Sequence, residues 1–143
     1  MLLLHATCVE IERRAVLLRG PSGSGKSDLA LRLLDAGARL VADDQVELEA
    51  RHGRLWARAP AALAGRLEVR GVGIRRVAFR DRAMVGLIVD LVVPGVVPRL
   101  PEAETESLEG VTLPRLKLAP FEPSTPAKLR LLMHQGLARG NLA

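Results

Sequence analysis

The sequence predicts an α/β fold, a mixed, mostly central β-sheet with flanking helices. Three observations predict it. A short apolar run, Ala15-Val16-Leu17-Leu18, leads directly into a glycine-rich segment and then into a helical pattern. A second short apolar run, Leu40-Val41-Ala42, follows that helix and ends in two aspartates. Beyond it, strand patterns follow one another with few helical ones between, so the sheet is mixed rather than purely parallel.

In chain order, residues 2–11 read as a strand, and Glu12-Arg13-Arg14 as a polar break. The run at 15–18 is of the kind buried on both faces of a sheet. Leu29, Leu33 and Ala36, with Ala30 and Leu34, line one face of a helix, and Gly37 is placed as its C′ residue. Residues 40–42 form another buried strand. Val46 and Leu48 alternate with polar residues, His52-Gly53 marks a turn, and residues 55–57 answer as the hairpin partner. Pro60 precedes a short apolar helix expected over residues 61–67, and then a glycine-spaced loop, Glu68-Val69-Arg70-Gly71-Val72-Gly73. Strand signals return at 76–79 and 84–93, separated by Asp81-Arg82. Residues 94–110, rich in Pro and Glu, read as a mobile surface loop. Residues 111–118 read as an edge strand, because Pro114 lacks the donor a central strand needs. Ser124-Thr125-Pro126 reads as a helix start with proline at N1, the helix running through Leu132 and the chain fraying from 136 to 143. With no internal repeat and no linker, residues 1–143 read as one domain.

Composition narrows the function classes. The 143 residues are 48% hydrophobic and 26% charged, which excludes a disordered or low-complexity chain. Lys and Arg number 21 against 16 Asp and Glu, a net charge of +5, and only Lys26, Lys117 and Lys128 are lysines. Arginine suits bidentate contacts to phosphate and carboxylate, so an acidic ligand or partner is expected. Phe79, Phe121 and Trp56 are the only aromatic residues, too few platforms for nucleic acid to be expected. Cys8 is the only cysteine, so there is neither an intrachain disulfide nor a zinc cluster, as expected of a reducing compartment. No apolar run approaches 18 residues, 84–93 being broken by Asp90, and residues 1–5 lack a basic leader region. A cytoplasmic protein without a membrane partner is expected.

Gly20-Pro21-Ser22-Gly23-Ser24-Gly25-Lys26-Ser27 has the spacing G-x-x-x-x-G-K-S between a buried strand and an amphipathic helix, the setting in which it binds phosphate. Glycines let the loop wrap so that successive backbone N–H groups face phosphate oxygens. The helix adds the positive end of its dipole. Lys26 is the candidate bridge between β- and γ-phosphates, and the Ser27 hydroxyl the candidate Mg²⁺ ligand. A nucleoside triphosphate is implied, but not a reaction. Asp43-Asp44 adds the reaction: the pair closes the next strand, so both carboxylates are expected at its C-terminal end, where open α/β sheets bind ligands. One can accept a proton from an attacking hydroxyl while the other supports the metal or its waters. From the residues alone, His5 also reads as a strand histidine, Glu68 and Arg70 as a surface pair, and Arg99 as a solvated loop residue.

Three separated pieces agree with one family: His5, fifteen positions ahead of Gly20; the glycine loop followed by Leu40-Val41-Ala42-Asp43-Asp44; and Leu67-Glu68-Val69-Arg70-Gly71-Val72-Gly73-Ile74. On these the chain resembles the catalytic domain of HPr kinase/phosphorylase, the family that phosphorylates a serine of the phosphocarrier protein HPr. The likeness spans residues 5–74 and continues more weakly along the later strands. It implies an HPr kinase / PEP carboxykinase-like P-loop fold, with ATP and Mg²⁺ as cofactors. Asp43 matches the position of the general base, Lys26 would hold phosphate, and Ser27 and Glu68 match metal positions. His5 matches an active-site histidine, Arg99 a catalytic arginine, and Asp44 remains a metal-supporting carboxylate. The resemblance also implies an HPr-type protein substrate and a homo-oligomer, hexameric in the family, whose neighbouring subunits share the substrate site. The family's N-terminal domain has no counterpart in the sequence, so the chain is similar to the short, catalytic-domain-only form of some proteobacteria. Residues 118–126 depart from the family, lacking its basic, glycine-containing loop and placing Glu122 there, so kinase rather than phosphorylase chemistry is expected. A small-metabolite kinase and a nucleotide-sensing module without transfer are the competing readings; Lys26, Ser27, Asp43 and Glu68 together favour the kinase, since a sensor needs no base.

Overall fold

The structure, a computed structural model, describes residues 1–136; the fraying expected towards residue 143 lies outside them. The elements are β1 (Leu2–Leu4), β2 (Thr7–Ile11), β3 (Arg14–Arg19), α1 (Lys26–Asp35), β4 (Arg39–Ala42), β5 (Val46–Arg51), β6 (Arg54–Arg58), β7 (Arg66–Val69), β8 (Gly73–Arg76), β9 (Ala83–Leu91), β10 (Glu104–Leu108), β11 (Val111–Leu118) and α2 (Thr125–Gln135).

Three hairpins close through two-residue turns: Glu12-Arg13 between β2 and β3, His52-Gly53 between β5 and β6, and Glu109-Gly110 between β10 and β11. Every turn residue has positive φ, between 50° and 78°, which matches the right-handed twist of the flanking strands. Helix α1 ends where Gly37 takes φ 103°, with Ala38 N–H donating to Leu33 O and Gly37 N–H to Leu34 O, both at 3.0 Å. That pair of bonds is a Schellman stop, as Gly37 predicts.

The main sheet runs β1-β5-β6-β9-β3-β2-β4, with β11 joining β9 and β10 joining β11. Strand β3 is parallel to β9, β9 is parallel to β11, and β2 lies antiparallel between β3 and β4. Consequently β3, β4, β9 and β11 run the same way and end at one edge, while β2 begins there. The sheet buries both faces. Helices α1 and α2 cover one, packing Leu29, Leu33 and Leu129 on Val16, Leu18, Leu87 and Val89. The other curls over Leu17, Val41, Leu48, Leu55 and Ile88. Cys8 lies in that second core, and burial pushes its thiol far above the ordinary range, so it packs as an inert side chain.

Six expectations are corrected. Residues 2–11 are two strands, broken at His5-Ala6. The helix expected over 61–67 is a single 3₁₀ turn, Ala61–Leu63, stopped at Gly65 with φ 73°. The glycine-spaced stretch after it is no loop but the hairpin β7–β8, in which Leu67 is fully buried between exposed Arg66 and Glu68. Of the strand expected at 76–79, Arg76 ends β8 and Phe79 makes one isolated bridge to Leu40. Inside the surface loop expected over 94–110 lies β10, and through it β11 is no edge strand. Pro114 is accommodated because pairing with β9 begins only at Arg115. Helix α2 opens at Thr125, directly after Ser124 and with proline in its first turn as expected, and runs to Gln135, three residues beyond the expected Leu132.

What holds β10 in place is a half-buried charge cluster. Arg19, the last residue of β3, reaches both oxygens of Glu106 at 2.6 and 2.8 Å and both of Asp90 at 2.8 and 3.2 Å. Arg115 Nη1 donates to Glu106 at 3.0 Å, and its Nε lies 3.2 Å from Asp90 as an ionic contact without hydrogen-bond alignment. The hydrogen bond from Arg19 holds the Glu106 carboxyl below its ordinary range, with that from Arg115 acting the same way against burial. A depressed carboxyl contributes stability that is complete above its unfolded-state value and lost as pH falls through its folded one. Glu106→Gln should therefore lower unfolding free energy at neutral pH by about 1–3 kcal/mol. It should also flatten the fall of Tm as pH drops through the carboxylate range, which scanning calorimetry at several pH values would check.

Candidate active site

The glycine loop leaves β3 at the edge where the parallel strands end. Ser24 N–H closes a turn on Pro21 O at 3.0 Å, and Gly23 and Gly25 take φ 79° and 98°. Gly25 is the residue before α1, which carries no side-chain cap, so the first amides of the helix remain available to a ligand. Gly20 packs closely on Ser24: a Cβ there would fall 2.5 Å from Ser24 Oγ, so the Ser24 side chain would have to move. Lys26 is nearly buried, and its ammonium donates to the Gly20 and Pro21 carbonyls at 2.6 and 3.0 Å. Burial holds its pKa below the usual lysine value, opposed by the charges of Asp44 and Asp43.

Asp43 lies at the end of β4, at the same edge, only 7% exposed. Its Oδ1 accepts from Ser27 Oγ at 2.7 Å and from Thr7 Oγ1 at 3.0 Å, and its Oδ2 from the Glu68 backbone N–H at 3.1 Å. Three elements, α1, β2 and β7, thus converge on one carboxylate. Asp44 takes φ 70°. Its own carboxylate is exposed and stands 3.2 Å from His5 Nδ1.

These groups line a cleft of about 410 Å³, together with Ser22, Gly23, Gly25, Asp28, Leu31, Val69, Arg70 and Phe121. His5, Lys26, Ser27, Asp43, Asp44 and Glu68 are thereby brought together. Arg99 is not: it is exposed, between the Pro94–Val96 turn and β10, and takes no part in the cleft wall.

Sequence reasoning missed two parts of the site. Thr7 is a buried hydroxyl at the start of β2, two residues from His5, and that placement was its only signal. The other part is the ring of Phe121, in the segment after β11 whose sequence signals only the missing basic loop. Arg32 on α1 donates to the carbonyls of Pro120 and Glu122, and the buried Thr125 hydroxyl to Ala119 O, which hold Phe121 against Gly25. Glu122, the carboxylate expected to trouble a phosphate site, lies 3.5 Å from Lys128.

The sequence model of the HPr serine kinase C-terminal domain matches residues 2–95. An HPr kinase/phosphorylase of Streptococcus thermophilus is 39% identical over 127 residues, covering 80% of this chain and 41% of that protein. One from Clostridium beijerinckii is 45% identical over 71 residues, covering 50% of this chain and 24% of that protein. The chain spans about two fifths or less of the length of these curated relatives. The solved Hpr(Ser) kinase/phosphatase of Coxiella burnetii superimposes with a TM-score of 0.84 at 28% identity, over 94% of this chain and 95% of that one.

Because the Thr7 hydroxyl is buried and bonded to Asp43, Thr7→Val removes one of three donors while nearly keeping the shape. It should cost about 0.5–1.5 kcal/mol in urea unfolding, an effect absent when Asp43 is already alanine.

Proposed function

The chain belongs to the HPr serine kinase C-terminal domain family, and on that footing we propose that it is an ATP- and Mg²⁺-dependent kinase acting on a serine of an HPr-type phosphocarrier protein. One observation carries the reading: a nearly buried carboxylate, Asp43, is fastened to the first turn of the helix that opens from a phosphate-binding loop. A binding module needs the loop; it has no use for a positioned base beside it.

The donor set fits Mg²⁺. Ser27 would offer it a hydroxyl and Glu68, on the same cleft wall, a carboxylate, hard oxygens of the kind that hold this ion, which leaves Asp43 free to act as base. When bound, the ion supplies charge neutralisation at the β- and γ-phosphates.

The chain's own residues supply the rest. Lys26, now bonded to two loop carbonyls, exchanges them for phosphate oxygens, and the amides of residues 23–27 hold the same group. Asp43, oriented by Thr7 and the Glu68 amide, accepts the seryl proton as the serine oxygen bonds to the γ-phosphorus and the bond to the β-phosphate oxygen breaks. Glu68, His5 and Asp44 stand on the cleft wall beside it, Asp44 in reach of His5. Arg99 serves the site only if another copy of the chain presents it. Val93, Val96 and Leu100 leave an exposed apolar stretch around it, which supports assigning residues 93–100 to contact between copies in a homo-oligomer. In kind, the substrate is a protein that lays a serine into an open cleft.

Incubation with an HPr-type protein and radiolabelled ATP should give acid-stable phosphoserine. Asp43→Asn should lower the transfer rate by about 10²–10⁴-fold while ATP binding persists; a wild-type rate in that variant removes the base assignment. Val96→Asp with Leu100→Asp should lower the mass measured by light scattering, and an unchanged mass removes the assembly face.

A further inference from the structure

The polar groups of the cleft account for phosphates, a metal and a serine. They leave one feature without a task. Phe121 is the one phenyl or indole side chain on the cleft wall, and it is 65% exposed. A phenyl ring that has a place in a core normally buries its surface. This one stays in solvent although the segment on either side of it is tied down. Arg32 holds the carbonyls of Pro120 and Glu122, Asp28 braces Arg32 at 3.0 Å, and the Thr125 hydroxyl holds Ala119 O at 2.5 Å. The ring is thus an exposed apolar plate on a fixed mount.

Its mount sets it on the phosphate loop. A Cβ at Gly25 would fall 2.7 Å from Phe121 Cζ and 3.0 Å from Cε1, so the approach exists because Gly25 has no side chain. Gly25 is also the residue whose peptide opens α1, where the phosphates of a nucleotide are expected. Leu31, 38% exposed on the same helix, adds a second apolar surface to the cleft. A nucleotide is a charged tail joined to a flat aromatic base, and the cleft offers a charged cradle joined to an exposed ring.

We propose that Phe121 is the nucleobase-binding residue of this site, its ring stacking on the base of the nucleotide whose phosphates occupy the loop at 20–27. The inference rests on reading that loop as a phosphate cradle. It makes residues 118–126, where the chain departs from the family's basic loop, a nucleoside wall.

The test separates base from phosphate. Equilibrium titrations of the full chain with ATP and with inorganic tripolyphosphate, both with Mg²⁺, are compared for wild type, Phe121→Leu and Phe121→Ala. The exposed position keeps both variants folded, which circular dichroism verifies. Stacking on an aromatic ring predicts that Phe121→Ala raises the ATP dissociation constant roughly ten-fold, Phe121→Leu raises it less, and tripolyphosphate affinity stays the same. Equal losses for both ligands make Phe121 a support of the loop and overturn the proposal. So does unchanged ATP affinity, or wild type binding tripolyphosphate as tightly as ATP; in each the cradle reading stands. If wild type binds neither ligand, the cradle reading itself fails and takes this inference with it.

Discussion

A carboxylate taken out of water must be met by donors, and at Asp43 that requirement ties the molecule together. Its three donors come from β2, from the first turn of α1 and from the backbone of β7. An uncompensated buried charge costs several kcal/mol, so each of these elements is held in register by the need to reach it. The same bonds that make Asp43 tolerable also aim it. Structure and chemistry share one constraint here, and the phosphate loop inherits its position from it through Ser27.

Sheet topology makes that convergence possible. Strands β3 and β4 are separated by β2 yet run the same way, so the glycine loop and Asp43 emerge at one edge with the start of β2 between them. Thr7 therefore stands where it can donate to Asp43, and His5, just before it, where it can reach Asp44. Further along the same edge, Arg19 on β3 and Arg115 on β11 share the carboxylates of Asp90 and Glu106 between them. Charge fastens the sheet where the ligand site needs a firm base, and apolar packing holds both its faces.

The cleft wall contributed by residues 118–126 shows how a departure from a family pattern can be filled by different physics. Where positive charge was expected, the chain has Pro120, Phe121 and Glu122, and Arg32 restrains them through their carbonyls rather than through the carboxylate. Glu122 turns to Lys128 instead. The segment presents a ring to the cleft, and its charge faces a lysine.

What could be read from the chain alone were the features whose causes are local. The G-x-x-x-x-G-K-S spacing, Gly37 as a helix stop, His52-Gly53 as a turn, Ser124-Thr125-Pro126 as a helix start and Asp43 at a strand end all depend on a few neighbouring residues and their backbone preferences. Only the tertiary structure decided the rest, because its causes are distant. Leu67 turns residues 66–69 into a strand by burying itself in the α1 core, and β10 is fastened to the sheet where Arg19, 87 positions earlier, reaches Glu106. Thr7 and Phe121 join the site through contacts with residues 36 and 96 positions away, Asp43 and Gly25, which no local pattern encodes. Periodicity and turn chemistry report what a segment can do by itself; which partner it meets is settled by packing and by the pairing of buried charge.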